Sequence, residues 1–125
     1  MKIDIFGSEQ EVALYHDLVN QICEDFFGVL NLKTDILIGF HFVDDERIKD
    51  LNCQHRQICT PTDVLSFPLW NSLDELPKEG SVNLGDVFVN LGHVEANAKN
   101  DNKELKEEFI HIIKHSLNHL IGKHH

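Results

Sequence analysis

Residues 115 to 125 read His115-Ser116-Leu117-Asn118-His119-Leu120-Ile121-Gly122-Lys123-His124-His125, and the interpretation of this stretch sets both the last element of the fold and its chemistry. The imidazoles are spaced His-x3-His-x5-His around a glycine. On a helix, residues four apart lie one turn above each other on the same face, so His115 and His119 can reach one ion. His111 continues that stripe, but at 1.5 Å per residue it lies roughly 12 Å from His119 along the axis, too far to share a zinc with bonds of about 2 Å. A third ligand therefore has to come from beyond the helix. Gly122 suits a left-handed C-terminal cap, and the turn it permits would bring His125 back over the helix end. The competing reading is that a chain with nine histidines places some at helical spacing by chance, or that His124-His125 remain from a purification tag.

Three histidines without a fourth protein ligand describe a catalytic zinc with an open position for water, because structural zinc sites are normally closed by four ligands. A hydrolase is the expectation. Zinc-protease helices carry a glutamate directly after the first histidine as general base, and here that position is Ser116, so protease chemistry loses its base.

The helix that carries these residues is the last of a regular series. Its apolar positions Leu105, Phe109, Ile112, Ile113 and Leu120 recur at helical spacing, with Asp101 and Glu104 as capping candidates, which predicts the central helix of the domain with the metal site at its C-terminal end. Before it, Leu91 to Ala98 predicts a short helix, and Leu84-Gly85-Asp86-Val87-Phe88-Val89 an apolar strand. Residues 69 to 83, with Trp70, Pro77 and Gly80, read as an irregular excursion. Asp63-Val64-Leu65-Ser66-Phe67 alternates as an edge strand up to Pro68, after a loop at Cys59-Thr60-Pro61-Thr62. Further back, Ile36 to Val43 is a strand-length apolar run, and Asp44 or Asp45 can cap a helix through Ile48, Leu51 and Asn52. Lys2 to Phe6 alternates as a strand that Gly7 ends. Ser8 with Glu11 then resembles a capping box for a helix carrying Val12, Tyr15, Leu18, Val19, Ile22 and Phe26 to about Gly28. The order implies an α+β fold: a single domain over residues 1–125 with one mixed β-sheet packed by helices.

A chain of 125 residues with 42% hydrophobic content has the size of one domain. There is no apolar run of roughly 18 residues and no signal-peptide pattern, so a soluble cytoplasmic protein is expected. Cys23, Cys53 and Cys59 are odd in number and form no Cys-x2-Cys pair, which predicts small buried residues in a reducing compartment and no disulfide framework. The net charge of −10 excludes a generic nucleic-acid coat, so any RNA contact must be local. Acidic clusters such as Asp44-Asp45-Glu46, Asp74-Glu75 and Glu107-Glu108 read as solvated faces.

Three segments together resemble the YbeY family of bacterial rRNA maturation factors, metal-dependent endoribonucleases. Leu51-Asn52-Cys53-Gln54-His55-Arg56 is similar to the family's Leu-Asn-x-x-Tyr-Arg, with histidine in the tyrosine position. Pro61-Thr62-Asp63-Val64-Leu65-Ser66-Phe67-Pro68 agrees with the family signature throughout. The third is the histidine motif, where the family pattern His-Gly-x-Leu-His-Leu-x-Gly-Tyr-Asp-His is matched at His115, His119 and His125 and departed from at Ser116, Asn118, Lys123 and His124. His124 stands beside His125 as a competing donor. Family members usually continue past the motif with an acidic stretch, which makes this chain either a minimal form or a truncated one.

The resemblance implies a metal-dependent, single-strand-specific endoribonuclease acting in rRNA maturation, at the 3′ end of 16S rRNA, and in ribosome quality control, with ribosomal RNA and the small ribosomal subunit as partners. It implies His115, His119 and His125 as ligands of one divalent ion, with His115 and Arg56 catalytic and Arg56 on the substrate phosphate; Asp63 and Ser66 flank the signature strand and are substrate-binding candidates, because an edge strand offers backbone groups to an extended substrate. Zinc suits the imidazoles best, and nickel and copper also bind histidine well. A metal of this kind can lower the pKa of bound water to about 7 and polarise a phosphoryl oxygen. The Arg56 guanidinium can hold phosphate oxygens by two hydrogen bonds, where a lone loop arginine would otherwise be a surface ion pair. For Asp63 and Ser66 the alternative is turn and strand chemistry. No carboxylate base is identified. A rival from another class is a ribosome-assembly binding module whose metal is structural, a reading supported by the acidic charge and altered motif. A metzincin-like peptidase is the third.

Overall fold

The computed structural model describes residues 1–32 and 34–122. Along the chain run β1 (Lys2–Phe6), α1 (Glu9–Gly28), β2 (Asp35–Phe42), α2 (Asp45–Arg56), β3 (Val64–Pro68), a single 3-10 turn (Leu73–Glu75), β4 (Ser81–Val89), α3 (Leu91–Asn100) and α4 (Leu105–Leu120). The strands form one sheet in the order β1-β2-β4-β3. β1 and β4 each pair in parallel with β2, and β3 pairs antiparallel with β4 at the edge, giving the expected mixed sheet of an α+β domain.

Local chemistry accounts for most boundaries. At the start of α1, Ser8 Oγ accepts from the Glu11 N–H at 3.1 Å while the Ser8 N–H donates to Glu11 Oε1 at 3.2 Å, satisfying two orphan groups reciprocally. Asp44 caps α2 by accepting from the Arg47 N–H at 2.9 Å. In β2 the alternating side chains Ile36, Ile38, Phe40 and Phe42 are buried. They meet Val19, Ile22 and Phe27 of α1 and Phe109, Ile112, Ile113, Leu117 and Leu120 of α4 in one core cluster. Each such side chain contributes about 2 kcal/mol by leaving water. Helix α4 is central, packing against α1, α3, β3 and β4. A smaller cluster of Ile48, Leu51 and Leu65 clamps α2 to β3, which fixes where Arg56, the last residue of α2, is held.

Several expectations need correction. Strand β4 begins at Ser81, three residues before the predicted start. A register shift against β2 between Leu37 and Ile38 leaves Leu84 and Gly85 buried in succession, so the period-2 pattern that identifies a strand is broken there. Gly85 has φ +130, and a Cβ at this position would run into the Phe67 carbonyl of β3. Asp101 does not cap α4. It ends α3 by donating its N–H to the Asn97 carbonyl, the chain turns at Asn102 with φ 59, and Glu104 opens α4 without a side-chain bond.

The cysteine expectation holds only for Cys23, which is buried and free, its thiol pushed up to about 12 first by burial and then by Glu24. Cys53 and Cys59 form a disulfide, with Cα atoms 4.2 Å apart, and Cys59 is exposed. Their meeting follows from the end of α2: Gln57 adopts a left-handed φ of 56 and reverses the chain, a bend that Cys spacing does not announce. Among the described residues no helix is long and apolar enough to cross a membrane.

Candidate metal and substrate cleft

One face of α4 presents Glu108, His111, Ile112, His115, Ser116 and His119, offsets of 0, 3, 4, 7, 8 and 11 that make a single stripe along the helix. This stripe and the segment Thr62 to Ser66 line a cleft of about 500 Å³, with Arg56 reaching it from α2. The volume lies within the usual range for ligand sites.

His115 and His119 stand side by side at the lower end of the stripe, ring centroids 4.4 Å apart and tilted by 52°. One turn of helix produces this spacing. Across the cleft, Ser66 Oγ lies 3.4 Å from Nδ1 of His119. When Nδ1–H donates to that oxygen, Nε2 is the unprotonated nitrogen, the tautomer a metal ligand needs. Gly122 has φ +85 and donates its N–H to the His119 carbonyl at 3.1 Å, so the left-handed turn after α4 is present. His125, the expected third ligand, and its neighbour His124 lie outside the described residues. Among the described residues no group of three His, Cys, Asp or Glu side chains converges on one point. The donor set that is placed, two imidazoles with Nδ1 of one beside the Ser66 hydroxyl, fits a borderline metal such as zinc.

Ser116 is buried and its hydroxyl donates to the Ile112 carbonyl at 2.9 Å, so it takes no part in the cleft's chemistry and the missing protease base is not replaced there. Arg56 is exposed and makes no ion pair among the described residues. Its position is held from two sides. Asn52 Nδ2 donates to the Thr60 carbonyl at 3.0 Å, and the Cys53–Cys59 bond closes the turn around it, tying the end of α2 to the loop that enters β3. His55, in the family's tyrosine position, packs its ring 4.7 Å from that of Phe67. Asp63 is engaged: its carboxylate accepts from Thr62 Oγ1 and from Asn97 Nδ2, both at 3.3 Å, and its carbonyl accepts from the Asn90 N–H at 2.8 Å.

A family model described as Endoribonuclease YbeY matches residues 3–125. The chain belongs to the YbeY family. Among similar proteins named Endoribonuclease YbeY, one from Synechococcus sp. strain RCC307 is 38% identical over 98% of this chain and 76% of its own length. Another, from Mycoplasma capricolum, is 29% identical over 100% of this chain and 77% of its own. The relative from Synechococcus sp. strain CC9902 is 40% identical over 78% of this chain, and the match spans only 54% of that longer protein. The solution structure of TM1509 from Thermotoga maritima superposes with a TM-score of 0.65 at 28% identity, covering 96% of this chain and 72% of that one.

Within this YbeY-family cleft, sequence reasoning missed Glu108 and set His111 aside. Glu107-Glu108 was expected on a solvated face, yet Glu108 is only 6% exposed while Glu107 is open to solvent. The signal was available: Glu108 is seven residues before His115, which returns it to the same helix face.

Proposed function

We propose that this chain is a metal-dependent endoribonuclease that cleaves single-stranded RNA during rRNA maturation, at the 3′ end of 16S rRNA, and in ribosome quality control, with the small ribosomal subunit as its partner. The observation that carries this reading is the convergence of Arg56, which has no ion pair among the described residues, and the His115–His119 pair on one cleft. His115, His119 and His125 would hold one divalent ion, zinc by ligand preference, which supplies Lewis acidity at a phosphoryl group and an activated water.

The chain's own side chains do the rest. Arg56 binds phosphate oxygens through its planar fork and offsets negative charge as the bond to the leaving oxygen lengthens. Ser66 orients His119 and, with Asp63, forms the wall against which the substrate backbone lies. The acidic net charge confines affinity for RNA to this local cation, which favours single strands that can enter the cleft over extended duplex.

The same charge and the departures at Ser116, Asn118, Lys123 and His124 favour a second reading, an assembly-binding module with a structural metal. Elemental analysis of tag-free protein, paired with cleavage of single-stranded RNA by the parent, His115→Ala and a His125 deletion, separates the two. About one ion per chain, lost in both variants together with cleavage, supports the endoribonuclease. A parent that retains metal and leaves RNA intact turns the reading to the binding module.

A further inference from the structure

Glu108 is a carboxylate of the cleft that the proposed chemistry does not use. Its side chain is nine-tenths buried, lines the cleft, and has neither a hydrogen bond nor an ion pair among the described residues. Its carboxylate oxygens are not sealed off but open to the cleft, and the positive end of α4, whose first turn it occupies, favours their charge. It stands seven residues from His115, roughly 10 Å along the axis at 1.5 Å per residue, too far to exchange a proton with a group held by the histidines. A carboxylate there also repels a phosphate. What it can accept is a donor group on the substrate.

We infer that Glu108 forms a base-reading subsite beside the scissile position, selecting a nucleobase that presents amino and imino donors. This rests on the single-stranded RNA reading above. Guanine offers N1–H and N2–H2 side by side, matching the two carboxylate oxygens. Cytosine and adenine offer one amino group each. Uracil offers only N3–H, flanked by two carbonyls that the carboxylate repels. The surrounding Val64 and Ile112 give the base an apolar wall, and Asp63 is already occupied by Thr62 and Asn97, so of the two cleft carboxylates Glu108 carries the selection. The subsite ranks guanine first and uracil last.

The test sequences the cleavage products of a randomised single-stranded RNA pool, using metal-loaded parent, Glu108→Gln and Glu108→Asp, with metal content and unfolding temperature measured on each. The parent should prefer guanine over uracil by about tenfold at one position next to the cut. Glu108→Gln should reduce that ratio to about twofold with metal content unchanged, and Glu108→Asp, which keeps the acceptor, should retain most of it. An unchanged profile in Glu108→Gln overturns the subsite, as does a parent that cleaves with no base preference; both leave the endoribonuclease reading standing. Loss of discrimination between RNA and 2′-deoxy substrates, with the base profile intact, assigns Glu108 to the ribose hydroxyl and overturns base reading. A parent that cleaves nothing removes the endoribonuclease reading itself.

Discussion

Ser66 on the edge strand β3 lies 3.4 Å from Nδ1 of His119 on α4, linking residues 53 positions apart in the chain. This contact joins the family's strand signature to its histidine motif. A hydroxyl at that nitrogen holds the ring and selects its tautomer. Ser66→Ala should therefore weaken metal affinity by about tenfold without altering the fold, measured by competition with a chelator and circular dichroism. An unchanged affinity would mean that the histidine is oriented by packing alone.

Arg56 should matter to turnover and not to metal. Losing hydrogen bonds to a charged phosphate costs about 1.5–3 kcal/mol, so Arg56→Ala should lower kcat/KM on the order of 100-fold with metal content unchanged. Arg56→Lys should recover only part of it, because an ammonium lacks the two-pronged geometry. Full activity in the lysine variant would reduce the role of Arg56 to a point charge.

Gly122 ends α4 with φ +85, and a Cβ there would collide with the Asn71 carbonyl. Gly122→Ala should destabilise the protein by about 2 kcal/mol through backbone strain and this clash. Denaturant unfolding measures it, and a midpoint equal to that of the parent would refute the account.

The Cys53–Cys59 bond closes a six-residue separation around Arg56. By loop-closure entropy such a bond contributes about 2 kcal/mol. Cys59→Ser should lose that stability in non-reducing buffer, and excess dithiothreitol should bring the parent down to the variant. Identical melting of both proteins in the absence of reductant would show that the bond is not formed in solution.

Cys23 supplies a pH test. Burial favours its neutral thiol and raises its pKa from 9.0 to about 12. The unfolded thiol ionises first as pH rises, so this group's contribution to stability is intact below about pH 9 and is lost progressively toward pH 12. At pH 8 native protein should resist alkylation by iodoacetamide at Cys23 and react once unfolded, as mass spectrometry of the peptide would show. Rapid labelling of the native protein would contradict the burial.

Much was legible because it is local. The Ser8–Glu11 box, the Asp44 cap, the alternation of β2 and the 3.6-residue stripe of α4 each depend on residues within one turn or one strand, and the sequence by itself determined them. The one-turn spacing of His115 and His119 belongs to the same class. Tertiary structure decided what required distant neighbours: the β1-β2-β4-β3 order, the Ser66–His119 contact, the disulfide made by the bend at Gln57, and the burial of Glu108 beside a solvated Glu107. Periodicity tells which face of an element turns inward. It does not tell what lies opposite, and a carboxylate on an inward face reads like one on the surface until the strand that walls it in is placed.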